Sequence, residues 1–589
     1  MKRFKQTFDN YHAASSVHNF MLNDTFTDWI NYSNNQSVSQ SNNRFFNFIT
    51  EQGNKFENRV ITLIKQQSSF IKIAESKEDI RDSSKYKETI KAMNNQIGII
   101  YQGVLHGNDN FKAFGSPDML IRSDVVDTLF DQKIDTVPKS NGKFNYIVID
   151  IKFCTLKLRA DGKFLLNEAR MPANKAQVMI YNELLGIAQG YKPRYCYVLG
   201  RGWKYTKKNE YFECNRFNER LGTIDTTDKD TVYNQKIKDA FKWLDDVKEK
   251  GSLWKYNPPS VPELYPNMSS NCSNSAQKKK IAIEIDEITQ MWNCGVKQRK
   301  LAHEKGIFKL SDPNLTSRIM GFPQGTKRTK IIDKMLKFNQ GLIGKNKPVI
   351  PDYISSNPYD WQMDVRIEFF VDFECFSSMF DDFSMIPNAS GPGSKNSEQG
   401  QMSIVFMTGL GISIKDSNGK IKWEYYNFMV PELTNEHEFE MFDQFYKKIE
   451  EKCKEHRIKI ENAKIYHWGN IEQSIISKLY IKYEDKHDWT NLCLIDFCKI
   501  FQDDAILIKG VYGFGLKSVG KGMIDHGLIK IASWEDNVED GLDAMVQAYD
   551  IYNNPEENHE IIVKNLINYN HTDVRMIEKI INYLRKNHV

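Results

Sequence analysis

Residues 145–152 read NYIVIDIK. The run is rich in β-branched and aromatic residues and short enough for a strand. Side chains alternate along a strand, so Asp150 and Lys152, two apart, share a face. A carboxylate beside an ammonium suits phosphodiester hydrolysis. The carboxylate holds a hard divalent cation, and the lysine positions a water or stabilises developing charge. The pair alone is uninformative, because D-x-K occurs by chance in most proteins. Its surroundings give it weight. Upstream, GSPDMLI (115–121) sets Asp118 at the start of a second strand, over 118–122. Further upstream, a helix opening at Gly53 (GNKFENRVITLIKQ) carries Glu57. Downstream, NKAQVMIYNELLGIAQG (174–190) reads as a helix with Gln177 and Tyr181 four apart on one face. A further strand, RYCYVLG (194–200), closes an α/β pattern of helices flanking a mixed sheet.

In this order, Gly53 to Glu57, Gly115 to Asp118, Asp150 to Lys152 and Gln177 to Tyr181 resemble the RecB-type branch of the PD-(D/E)xK nucleases. The resemblance covers residues 45–255. It implies a restriction-endonuclease-like domain in which Glu57, Asp118 and Asp150 ligate metal and Lys152 supports catalysis. Gln177 and Tyr181 would then make phosphate or helix-positioning contacts. Some members of that branch hold an iron–sulfur cluster on four cysteines. Cys154, Cys196 and Cys214 do not reproduce that spacing, so no cluster is expected.

A second strand of the same character is FFVDFECF (369–376). Asp372 and Glu374 share one face, while Val371 and Phe373 point into a core. Two carboxylates held side by side repel unless a cation neutralises them, and two-metal phosphoryl chemistry uses such a pair. Near the chain end, LINYNHTDVRMIEKIINYLRK reads as an amphipathic helix with Tyr569 and Asp573 four apart. These motifs, with GFGLKSVGKGM and DGLDAMVQAYDIYNN, resemble the RNase H-like, DnaQ-type 3′–5′ exonucleases over 361–589. The resemblance implies metal ligation by Asp372, Glu374 and Asp573, with Tyr569 orienting the attacking water. Glu472, in IYHWGNIEQSII, falls where the family places a further Asp; Asp496 is the competitor. His467 and Trp468 read as core residues or as a stacking pair for a base.

Polar, low-complexity residues 31–43 and 387–400 read as loops. The Pro-, Ser- and Asn-rich stretch 257–280 marks a domain boundary. The expected layout is an N-terminal extension (1–44), a nuclease domain (45–255) and a linker (256–283). A helical connector (284–360) and an RNase H-like domain (361–589) follow. The connector carries Lys297 and Arg299 in a stretch similar to a helix-hairpin-helix element, which would offer phosphate contacts; a plain helical spacer fits as well.

The 589 residues are 40% hydrophobic and 26% charged, with a net charge of +4. Charge alone therefore does not mark a nucleic-acid binder, though acidic sites within basic grooves also sum to near neutral. Nine scattered cysteines without a CxxC pair argue against a disulfide framework and a zinc site. No signal peptide or membrane span is expected, which suggests an intracellular protein. The combined reading is a Mg2+- or Mn2+-dependent nuclease with two modules, acting on DNA or RNA in processing, repair or recombination. The alternative is a nucleic-acid-binding scaffold or helicase-partner subunit with one module, the C-terminal one, inactive. No P-loop is present, so unwinding would need a helicase partner.

Overall fold

A computed structural model of the chain describes residues 10–33, 44–135, 137–270, 275–376, 404–531, 538 and 540–589. The expected loop at 387–400 and most of that at 31–43 lie outside the described residues. The chain is mixed α/β and divides into two compact units. The described residues up to Ile281 form the first and those from Ala282 onward the second.

The first unit is built on a six-stranded sheet. Its strands are β2 (Phe70–Lys72), β3 (Ile99–Tyr101), β6 (Met119–Arg122), β7 (Tyr146–Ile151), β8 (Tyr195–Leu199) and β9 (Gly222–Asp225), in the order β9-β8-β7-β6-β3-β2. The strand bearing Asp150 is central. It runs parallel to β8 and antiparallel to β6. All six of its residues are buried, because apolar layers cover both faces of the sheet. One layer uses helix α3 (Arg44–Ile64), whose Phe56, Val60, Ile61 and Ile64 pack against Met119 and Ile149. The other uses helix α4 (Met171–Gln189), closed by Gly190 at φ +72°, a left-handed cap that suits glycine.

Two expectations about this half are corrected. The stretch assigned to an N-terminal extension is part of the fold. Strand β1 (His12–Ala13) pairs in parallel with β5 (Phe111–Gly115), whose other neighbour is β4 (Leu105–Asn108). Helix α1 (His18–Met21) packs on α4, and Ala14 and Val17 enter the core. Helix α2 (Thr25–Ser33) is tied by Trp29 Nε1 to the Gly251 carbonyl, 2.8 Å away, just past helix α5 (Val232–Lys250). The stretch assigned to a linker is docked as well. The Thr25 hydroxyl donates to the Glu263 carbonyl at 2.7 Å. On helix α6 (Ser275–Glu284), Lys278 forms a buried 3.0 Å ion pair with Asp24.

The second unit holds a five-stranded sheet. It comprises β10 (Ile367–Cys375), β11 (Val405–Lys415), β12 (Ile421–Met429), β13 (Lys464–His467) and β14 (Cys493–Asp496), ordered β12-β11-β10-β13-β14. In chain order that is 3-2-1-4-5, with the first three strands antiparallel and the last two parallel to β10. The hairpin turns near Asn418-Gly419 as its sequence implies, with Gly419 at φ +78°. Residues 284–360, expected to be a separate connector, share this unit's core. Leu336 and Phe338 of helix α8 (Lys327–Asn339) belong to one apolar cluster with Phe370, Tyr466 and Met576. Helix α7 (Val296–His303) is followed by turns until Lys327, so no tight helical hairpin forms there.

Candidate functional site

Each unit draws acidic side chains from distant parts of the sequence into one place. In the first, β7 delivers Asp150, and β6 is preceded by Asp118. The Ile151 backbone N–H donates to Asp118 Oδ2 at 2.7 Å, which ties the two strand ends together. Lys152 continues the β7–β8 ladder by donating its N–H to Leu199 O at 2.8 Å. Its ammonium lies 2.7 Å from Asp150 Oδ2. Glu57 arrives on α3, set in place by its buried neighbour Phe56.

The carboxylates are bridged by a residue the sequence reading missed. Gln102 Nε2 donates to Glu57 Oε1 at 2.8 Å and to Asp118 Oδ1 at 3.1 Å. Its backbone N–H donates to Asp118 O at 2.9 Å, and Ser116 Oγ donates to its amide oxygen at 3.2 Å. Tyr101 adds a 2.9 Å hydrogen bond to Glu57 Oε1. Gln102 sits at φ +53°, an uncommon conformation for a non-glycine residue, at the exit of β3. Its one sequence signal is its place just after a strand that pairs with β6.

Burial, then Asp150 and Glu57, hold the Asp118 carboxyl well above its ordinary range. Burial works against the Lys152 ammonium, yet Asp150 and Asp118 hold its pKa above the ordinary value. The cluster is therefore short of positive charge. Gln177 Nε2 donates to the Tyr181 hydroxyl at 2.8 Å. Tyr181 is buried, and burial with the nearby Asp150 raises its pKa. Its ring presses on Gly115, where an added Cβ would lie 2.4 Å from Cε1. Of the two roles open to this pair, the geometry fits positioning of the strand ends, because a buried phenol cannot reach a polynucleotide.

In the second unit, Asp372 and Glu374 stand on the central strand β10. Glu472 sits in the first turn of helix α10 (Ile471–Lys482), and Tyr569 and Asp573 on helix α14 (Glu560–His588). Burial and then Glu374, Asp573 and Glu472 push the Asp372 carboxyl well up. Burial and Asp573 push Glu374 to about 8. Asn570 clamps the first of these, its Nδ2 donating to Asp372 Oδ2 at 2.9 Å while its Oδ1 accepts from the Tyr425 hydroxyl. Burial and the neighbouring Asp573, which accepts its hydrogen bond, keep Tyr569 a neutral phenol.

The structure separates the two competing carboxylates. Asp496 caps helix α11 (Phe497–Asp503), with Oδ1 accepting from Lys499 N and from Gly469 N at 2.9 Å. Glu472 instead faces the cluster, with Oε2 3.2 Å from Nδ1 of the buried His467. His467 is thus a core residue. Trp468 is half-buried, donates to the Phe514 carbonyl at 2.8 Å and packs against Phe497 and Phe501. Of the two basic residues in the former connector, Lys297 is exposed. Arg299 is buried, with Nη1 2.9 Å from the buried Glu287, so it serves packing rather than phosphate contact.

Oxygen-only donors of this kind fit a hard divalent cation. Among the described residues, however, no three such side chains converge on one ligating point. In the first unit Gln102, Tyr101 and the Ile151 amide hydrogen-bond Glu57 and Asp118, while the buried Asp150 Oδ2 has no hydrogen-bond partner among the described residues and lies beside the Lys152 ammonium. Among the described residues no helix is long and apolar enough to cross a membrane. No family model matches the chain, and neither a curated protein nor a solved structure matches it.

Proposed function

We propose that the chain is a divalent-metal-dependent nuclease with one phosphodiesterase site in each unit. The observation that carries this reading is the crowding of carboxylates in two separate places. Asp118, Asp372 and Glu374 all have raised pKa values, first because burial strips their solvation and then because other acids face them. Such clusters are costly unless a cation neutralises them, and groups perturbed in this way gather at functional sites.

In the first unit Glu57, Asp118 and Asp150 would hold Mg2+ or Mn2+. In the second Asp372, Glu374, Glu472 and Asp573 would do so. The cations would activate water and stabilise charge on the phosphate. Lys152, charged and partly exposed, is placed to support charge at the reacting phosphate. Tyr569, neutral and bonded to Asp573, can orient a water by hydrogen bonding. The 3-2-1-4-5 strand order in the second unit supports the RNase H-like resemblance, and the buried D-x-K strand supports the RecB-type one. DNA is the favoured substrate, and a helicase would supply unwinding, within DNA processing, repair or recombination.

The test is cleavage of end-labelled single- and double-stranded DNA and RNA with Mg2+ or Mn2+. Wild type runs beside Lys152→Ala and Asp372→Ala/Glu374→Ala. Loss of a distinct product set in each variant supports two sites. Binding without cleavage under every condition would replace the reading with a nucleic-acid-binding scaffold.

A further inference from the structure

The second cluster also contains a cation, Lys517 in the stretch GFGLKSVGKGM, to which the sequence alone assigned no role. Lys517 lies in the first turn of helix α12 (Leu516–Asp525), which packs against α14. Its Nζ sits 4.4 Å from the centre of the Tyr569 ring, within cation–π range. The same ammonium lowers the pKa of both Asp372 and Glu374, opposing the acids around them. Lys517 therefore touches the proposed water-orienting phenol and acts on the carboxylates at once. Helix packing fixes it there: Val519, Gly520 and Met523 are buried, and an added Cβ on Gly520 would lie 2.6 Å from Met576 Sδ of α14.

We propose that Lys517 is a positioning residue of the second site, an internal counter-charge that holds Tyr569 and competes with divalent cations for Asp372 and Glu374. The proposal rests on the second-site reading above. A fixed ammonium beside the carboxylates repels an arriving cation, so metal affinity is weaker than the four acids alone would give. In exchange, the metal-free cluster keeps its shape and the phenol its orientation.

The consequence is a divergence that simple damage would not produce. Lys517→Met keeps an unbranched apolar stem over the Tyr569 ring and removes the charge. It should bind Mn2+ about tenfold more tightly, while cleavage by the second site slows. Lys517→Arg keeps the charge and should stay within about twofold of wild type in Mn2+ affinity. Lys517→Gln runs beside the Met variant, so that a folding defect in one does not decide the result. The experiment is Mn2+ titration of the full chain followed by electron paramagnetic resonance. Asp372→Asn/Glu374→Gln identifies which bound ions belong to this cluster. Tighter Mn2+ binding in the Met and Gln variants, with the Arg variant unchanged, supports the proposal. Equal or weaker binding overturns it alone. If the Asp372→Asn/Glu374→Gln chain binds as much Mn2+ as wild type, the second-site reading falls and takes this proposal with it.

Discussion

Glu374 shows what burial does to a single acid. Its ordinary pKa is 4.5, and loss of solvation together with Asp573 raises it to about 8 in the folded chain. Below about pH 4.5 the folded and unfolded states both hold the proton, so the group has no effect on stability. As pH rises from there towards about 8, the unfolded chain releases its proton and the folded chain retains it. Unfolding is favoured progressively through that window, and the penalty is complete above about 8. Thermal melts of metal-free protein should therefore show a midpoint falling across this range. Glu374→Gln should flatten the fall, and identical slopes for the two proteins would remove the account. Gly409 gives a second residue-scale result. It pairs with Asp372 in the sheet register, and an added Cβ would lie 1.7 Å from Asn570 Oδ1. That oxygen is held by Tyr425 and cannot swing away without releasing Asp372. Gly409→Ala should cost about 1–3 kcal/mol in a denaturant melt and abolish second-site products while leaving first-site products intact.

At the scale of elements, the legible parts were those with a period or a motif. The strands read in NYIVIDIK and FFVDFECF form as Tyr146–Ile151 and Ile367–Cys375, and the helix read over 174–190 forms as α4, Met171–Gln189. Helix α3 was legible only in part: it starts at Arg44, well before Gly53. The N-terminal segment was not legible, because its strand is two residues long and takes meaning only from pairing with β5. Residues 256–283 misled by composition. Their Pro, Ser and Asn residues favour a linker, but the deciding contact is one buried ion pair between Lys278 and Asp24, 254 positions apart. That pair gives the prediction at this scale. Lys278→Met strands a buried carboxylate and should destabilise the first unit by about 3–5 kcal/mol. Asp24→Asn added to it should recover a substantial part, because the uncompensated charge is gone. Urea unfolding of the single and double variants checks this; a double variant no more stable than Lys278→Met would mean the loss comes from packing.

Over the whole molecule, the sequence reading anticipated two acidic centres and placed each in its own half. The division of the described residues at Ile281/Ala282 assigns every member of the first cluster to one unit and every member of the second to the other. What the sequence left out is the surrounding support. Gln102 and Asn570 hold carboxylates through ordinary amides, and Lys517 acts through space; Asn570 and Lys517 lie within stretches quoted for the resemblance, yet nothing in their spacing marks these roles. Because the two clusters share no residue and each has its own apolar core, energetic coupling between them should be small. Asp150→Asn and Asp372→Asn/Glu374→Gln should then act independently on divalent-cation binding. Each removes its own class of bound Mn2+ and leaves the affinity of the other class within about twofold, and the combined variant loses both. Titration of the full chain and these three variants reads this directly. If Asp150→Asn instead weakens the ions lost in Asp372→Asn/Glu374→Gln, the clusters are linked, and the two-site account must become one of a single coupled machine.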